Sequence, residues 1–324
     1  MPAKTNDAER DARSIIHTRV LSATPERAFE AWTKPELLAR WFGPNGFSIT
    51  TSKHEFKPGG AWRFVMHGPD GTDYQNIVRY DEIVRPKRIV YRHGDPTSDG
   101  ARDFATTVTF EPLGARTLIT LRAEFASPEA RDRVIREVNA IEGGRQTLAR
   151  LDAEVSETST PGDAQVFEIT RDFKAARTLV FAAFTEPERM KEWFGPKGMK
   201  VIAQTMDLRA GGTYHYGLET PNGQQMWGKL FYHEITPPSR LVYTNVFSDA
   251  EGNIARHPMA PDWPREMLSI STFEEMGGKT RLSLRWEPLN AGEAERAVFA
   301  GAHAGMHGGW TGTMDQLDAY LASL

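Results

Sequence analysis

Hydrophobic and polar residues alternate in short runs along most of the chain, and the runs end at clusters of Pro, Gly or Asp. SIIHTRVL (14–21) is followed later by FSITTSKHEF, AWRFVMH, QNIVRYDEIV, RIVYRH, FATTVTFE and TLITLRAEF. The period of two predicts strands with one face on a core. Between the first and second runs the rhythm changes. Thr24-Pro25-Glu26 supplies an N-cap and a proline at the first helical position ahead of RAFEAW, and Pro35 opens a second short helix that stops near Gly43-Pro44. From Ser127-Pro128-Glu129 to Val155 the period is helical, with Val134, Ile141, Leu148, Leu151 and Val155 near one face. The order is strand, two short helices, six strands, one long helix. This predicts an α+β fold in which a curved antiparallel meander wraps a single long helix. Short side chains between the two would leave a cavity for an apolar ligand.

The chain carries this order twice. Offset by 152 positions, Pro35-Glu36 falls on Pro187-Glu188, Trp41-Phe42-Gly43-Pro44 on Trp193-Phe194-Gly195-Pro196, and Gly59-Gly60 on Gly211-Gly212. Arg19 falls on Arg171 and Arg88-Ile89-Val90-Tyr91 on Arg240-Leu241-Val242-Tyr243. By the last helix the offset is 166, pairing Leu151-Asp152-Ala153 with Leu317-Asp318-Ala319, because the second copy has gained residues, chiefly in SDAEGNIARHPMAPDWP after Phe247. So long a period means tandem domains, not a solenoid. The expected layout is a flexible N-terminus (1–13), a first domain (14–155), the small and polar linker SETSTPGDA (156–164) and a second domain (165–324).

Composition narrows the function classes. The 324 residues are 40% hydrophobic, enough for two cores, and 39 Lys and Arg against 43 Asp and Glu give a net charge of −4. That balance offers no general attraction to nucleic acid. There is no cysteine, which removes disulfides, thiolate metal sites and cysteine nucleophiles. The opening MPAKTNDAERDAR lacks a signal peptide's apolar core, and no run of about 18 apolar residues follows. A cytoplasmic protein without membrane insertion is expected.

TKPELLARWFGPNGF and TEPERMKEWFGPKGM, each followed by a PGG or AGG turn and by PKRIVY or PSRLVY, resemble the START-like helix-grip (SRPBCC) superfamily, and within it the branch of activator of Hsp90 ATPase homologue-like domains. The resemblance covers nearly all of both copies. It implies two tandem Bet v 1-like domains, each a sheet of about seven strands around a long C-terminal helix, with a hydrophobic cavity beneath that helix. The superfamily includes lipid and hormone carriers, polyketide cyclases, oxygenase subunits and co-chaperones, so the fold alone does not select an activity.

The candidate site residues follow from periodicity. Trp62, Phe64 and Met66 share one sheet face, as Tyr214, Tyr216 and Leu218 do in the second copy, and that face is expected to look inward with Tyr91 and Tyr243. In the last helix Phe299, His303, Met306, Trp310, Met314, Leu317 and Leu321 fall within about 40° of one direction. His303 then points with the apolar stripe, as a ligand hydrogen-bonder, a weak candidate for proton transfer, or a satisfied core histidine. Glu137 holds the matching place in the first copy as a ligand-site candidate, turned toward the sheet near Val134 and Ile141 with Arg63, Arg79 or Arg122 as partner, or at the wet mouth; Gly144 matches Trp310, which leaves either more room or a closer helix. Gly301, Gly305, Gly308 and Gly312 lie on the reverse face, where another backbone, from the other copy or a second chain in a homodimer, could approach; a local bend at Gly308-Gly309 is the alternative. Trp41 and Trp193 read as core anchors more readily than as cavity walls, and the Gly-Gly pairs as tight turns, since neither has phosphate-loop spacing. No metal-ligand spacing, dinucleotide motif or nucleophile elbow is present, so no metal or cofactor is expected.

The reading these features favour is binding of a small apolar or amphipathic molecule in one or both cavities, the second being the better ligand site, with the long loop after Phe247 as a lid. Alternatives are a cyclase- or hydrolase-like enzyme using His303 in that cavity, and a co-chaperone or regulatory interaction module.

Overall fold

The computed structural model describes residues 11–94, 103–156 and 166–324. The chain divides into two compact units, 1–158 and 159–324. The expected linker lies outside the described residues apart from Ser156, and so does the N-terminal tail up to residue 10. Residues 11–13 are tied to the first sheet: Arg122 pairs with Asp11 at 2.6 Å, and Arg13 with Glu124.

In the first unit β1 (Ser14–Leu21) leads to the short helices α1 (Pro25–Glu30) and α2 (Pro35–Trp41). Thr24 caps α1 as expected, its hydroxyl accepting from Arg27 N. Six strands follow, β2 (Ser48–His54), β3 (Ala61–His67), β4 (Asp73–Val84), β5 (Arg88–Gly94), β6 (Phe104–Leu113) and β7 (Arg116–Glu124). They form a meander closed by β1, in the order β1-β7-β6-β5-β4-β3-β2. The alternation read from the sequence is the alternation of burial: Trp62 and Phe64 are buried on the inner face of β3, and Ile89 and Tyr91 on β5.

The closing helix departs from expectation in both copies. In the first it is two helices, α3 (Pro128–Val138) and α4 (Ala140–Val155), separated by Asn139 in the left-handed conformation at φ 50°. Asn tolerates that backbone better than most residues, and one such residue resets the phase of everything before it. Leu148, Leu151 and Val155 of α4 face the sheet as counted; Ile141, in the first turn of the same helix, is 40% exposed. Glu137 is exposed, so it does not turn toward the sheet, the first of its two expected places.

The second unit repeats the plan with β8 (Phe167–Phe173), α5 (Arg177–Thr185), α6 (Pro187–Trp193), β9 (Lys200–Met206), β10 (Thr213–Glu219), β11 (Gln225–Thr236) and β12 (Arg240–Ser248). Then come β13 (Ile254–Ala255), β14 (Glu266–Glu275), β15 (Thr280–Leu289), α7 (Glu293–Gly301) and α8 (His303–Ala322). The sheet order is β8-β15-β14-β12-β11-β10-β9, with the two-residue β13 added on β12 by the inserted loop. Here the break in the long helix falls at Ala302, not at Gly308-Gly309. No helix among the described residues is long and apolar enough to cross a membrane.

The repeated motifs have structural work in each unit. Trp41 and Trp193 are buried and donate from Nε1 to the carbonyls of Ala31 (3.1 Å) and Ala183 (3.0 Å), pinning the second short helix to the first. The glycines that follow, Gly43 and Gly195, have φ of 112° and 118°, and the carbonyls this turn exposes are collected by the long helix. Arg150 Nη1 donates to Gly43 O, Pro44 O and Phe47 O, and Gln316 Nε2 donates to Trp193 O and Gly195 O. The Gly-Gly pairs are tight turns: a Cβ on Gly60 or on Gly212 would stand 2.1 Å from Glu55 O or Asp207 O. Arg19 and Asp152, two residues marked by the repeat, join β1 to α4 at 3.0 Å, and Arg171 Nε reaches Asp318 at 3.0 Å in the second copy.

Candidate ligand cavity of the second unit

Between the sheet and α8 lies a partly enclosed cavity of about 240 Å³. Its floor comes from Tyr216 and Leu218 on β10, Leu230 on β11 and Tyr243 and Asn245 on β12. Met267 and Trp286 come from β14 and β15, Met306, Gly309, Trp310 and Thr313 from α8, and Phe194 to Pro196 from the turn after α6. The inserted loop contributes His257, Trp263 and Pro264 and leads into Arg265, so the segment that distinguishes the second copy lies over the cavity. It is held there by rings: Phe247 to His257 at 4.5 Å, His257 to Trp263 at 6.0 Å and Trp263 to Phe299 at 5.6 Å.

The walls are aromatic and sulfur-bearing. Trp286 and Trp310 meet edge to face at 5.4 Å and 90°. Trp227 also borders the cavity, but its ring lies across Gly217 and stacks on His215, on the other side of the sheet. Met226, Met267 and Met306 give flexible, polarisable surface that adapts to ligand shape. Polar groups are few. Thr313 is engaged with the carbonyls of Gly195 and Gly309. Burial raises the pKa of Tyr216 and Tyr243, so both stay protonated. Gly228 lets the Tyr216 ring lie where a Cβ would come within 2.4 Å of its hydroxyl.

Of the residues expected at the site, Tyr216, Tyr243, Met306 and Trp310 line this cavity. Tyr214 does not. It is fully buried, stacked on Tyr216 at 5.2 Å and hydrogen-bonded through its hydroxyl to Gln204 Oε1 at 3.1 Å. Two residues nearer the strand start, it lies in the packed core. His303 is also outside the lining. The helix restarts there after Ala302, and the His303 ring packs edge-on against Phe299 (4.9 Å) and Phe167 (5.8 Å), whose cluster occupies that end of the unit. Its pKa is lowered, by burial first and then by His307, and Nε2 has no hydrogen-bond partner among the described residues.

In the first unit Trp62 and Phe64 stack at 4.0 Å and 21° within the core cluster that also holds Tyr91. The room left by Gly144 is filled from the sheet: a Cβ there would lie 2.2 Å from Nε2 of His17. His17, 7% exposed on β1, fills the space that the Trp310 side chain takes beside Ile169 in the second unit. Gly301, Gly305 and Gly308 are exposed and nothing described lies within 4 Å of a Cβ on any of them; Gly312 has only Lys197 Cβ, at 3.6 Å. Among the described residues no three His, Asp or Glu side chains gather as a metal site would need.

Sequence reasoning pointed to the loop after Phe247 without singling out His257 or Trp263 within it, and it missed Trp286, Asn245 and Arg265. Trp286 was legible, since Thr280, Leu282, Leu284 and Trp286 continue one inward alternation. The loop residues carry no periodicity that could place them.

The family model described as Activator of Hsp90 ATPase homolog 1-like protein matches residues 22–156 and 174–322. No curated protein matches the chain. Among solved structures, a protein from Arthrobacter aurescens is 30% identical, covering 46% of this chain and 90% of its own, with a TM-score of 0.43. One from Chromobacterium violaceum is 31% identical, covering 44% and 98%, with a TM-score of 0.39. Since the model matches most of each unit in turn, the chain belongs to the Activator of Hsp90 ATPase homolog 1-like protein family and carries that domain twice.

Proposed function

We propose that the second unit binds one small, largely apolar molecule between its sheet and α8. The observation that carries this reading is the cavity of about 240 Å³ whose walls are Trp263, Trp286, Trp310, Tyr216, Tyr243 and three methionines. Ligand sites typically measure roughly 300–1,000 Å³, so the size suits a molecule of one or two rings rather than a long lipid. Three hydroxyl or amide groups, on Tyr216, Tyr243 and Asn245, suffice to orient a ligand whose affinity comes from buried apolar area. The inserted loop, absent from the first copy, serves as the lid. An acid–base role for His303 gains no support, because the ring is packed on Phe167 and Phe299 away from the lining.

The test is a titration of the full chain with 2-naphthol, followed by its emission. Saturable binding is expected in the wild type. Met306→Trp, which fills the cavity from the helix side, should abolish it, and Gly301→Ala, on the exposed face, should leave it unchanged. Equal binding by wild type and Met306→Trp would move the site elsewhere.

A further inference from the structure

Resting on the cavity reading above, we infer that the preferred ligand is a small aromatic acid, its ring packed against the touching pair Trp286 and Trp310 and its carboxylate at the mouth beside Arg265. Among the described residues that line the cavity, Arg265 is the only formally charged side chain and no Asp or Glu is present; Glu266 and Glu295 lie with it in a neighbouring cleft, outside the cavity. Neighbouring arginines are already paired: Arg256 holds Glu295 at 2.7 Å, and Arg285 holds Glu168 at 2.8 Å as well as Glu287. Arg265 has no such ion pair among the described residues, and Glu295, which senses its charge, is bonded to Arg256. Burial lowers the pKa of His257, the other basic group at the mouth, and leaves it neutral at pH 7.

The polar atoms deeper in the cavity fit the same ligand. Neither the Asn245 amide nor the Tyr216 hydroxyl has a side-chain hydrogen-bond partner among the described residues, and both can donate to an oxygen. A cationic ligand would find aromatic faces but would have to approach the Arg265 guanidinium, and no carboxylate lines the cavity to offset that repulsion. Because Arg265 is exposed, an anion there keeps part of its hydration, so its entry carries little desolvation cost.

Calorimetric titration of the full chain with three probes tests this: 2-naphthoate, its neutral isostere 2-naphthamide, and a naphthyl trimethylammonium salt. The acid should bind about 5–10-fold more tightly than the amide at low salt, and the gap should narrow as salt screens the exposed mouth. The acid-to-amide ratio should fall to about one in Arg265→Gln and be partly retained in Arg265→Lys. Equal affinities for acid and amide, a ratio that survives Arg265→Gln, or tightest binding of the cation would overturn the inference while leaving the cavity reading standing. If none of the three binds, both fall together.

Discussion

His17 offers a test of how tightly the first unit is closed under its long helix. Its ring is 7% exposed and lies against Gly144, and burial, with the charge of Arg145 second, lowers its pKa from 6.5 to about 4. The unfolded chain takes up a proton near pH 6.5 that the folded chain refuses until about 4. Stability that depends on neutral His17 is therefore complete above the unfolded value and is lost as pH falls between the two. Linkage puts the loss at about 2 kcal/mol near pH 5 and about 3 kcal/mol near pH 4, a large share of a domain's usual margin of roughly 5–15 kcal/mol. His17→Ile installs the residue found at the matching place, Ile169, and removes the titrating group. Urea unfolding at a series of pH values should show the transition of the first unit falling steeply with acid in the wild type. In His17→Ile that slope should be shallower by the same 2 kcal/mol or so. Parallel pH profiles for the two proteins, or a His17 ring that titrates near 6.5 by NMR, would refute the reasoning.

Other consequences follow from the shared architecture. Arg150→Ala strips three carbonyls of the Gly43 turn of a charged donor and should cost about 2–3 kcal/mol in a melting experiment, whereas Gln316→Ala, losing a neutral donor, should cost about 1 kcal/mol. Gly60→Ala and Gly212→Ala place a Cβ 2.1 Å from a backbone oxygen, so both should lower Tm sharply, by a loss of more than about 3 kcal/mol; a neutral result would mean that the turn can open. Asp152→Asn breaks a pair whose side chains are 17% and 12% exposed and should cost about 3 kcal/mol. Asp318→Asn, in a pair exposed to 34% and 36%, should cost about 1 kcal/mol or less by the same assay.

The parts of this molecule that were legible in its sequence are those written in short periods or written twice. Alternation fixed which face of β3 and β10 looks inward, and the repeat marked Arg19, Asp152, Trp41 and the Gly-Gly turns before any role was known for them. What alternation does not carry is depth along a strand. Tyr214 and Tyr216 share a face, but only the second reaches the cavity, because the space opens toward one end of β10. The helix wheel has two further limits: it assumes one unbroken helix, which the left-handed Asn139 interrupts, and it carries no depth along the axis, so that Phe299, Met314 and Leu317 are buried as counted across the helical Ala302 while His303 lies beyond the cavity's end. Glu137, which precedes that break, is exposed, and His303 takes the core-histidine alternative, its ring packed on Phe299 and Phe167. The exchange of His17 and Gly144 for Ile169 and Trp310 is a volume swap across one contact, visible only once strand and helix are brought together.

The central claim is that the cavity under α8 takes a small aromatic ligand, and the eight tryptophans of the chain allow it to be tested directly. Selective labelling of the indole nitrogens gives one NMR signal for each, followed as 2-naphthoate is added to the full chain. The signals of Trp263, Trp286 and Trp310 should move saturably with one equivalent, while those of Trp41 and Trp62, buried in the first unit, stay in place. A spectrum that does not change, or changes confined to the first unit's tryptophans, would contradict the account.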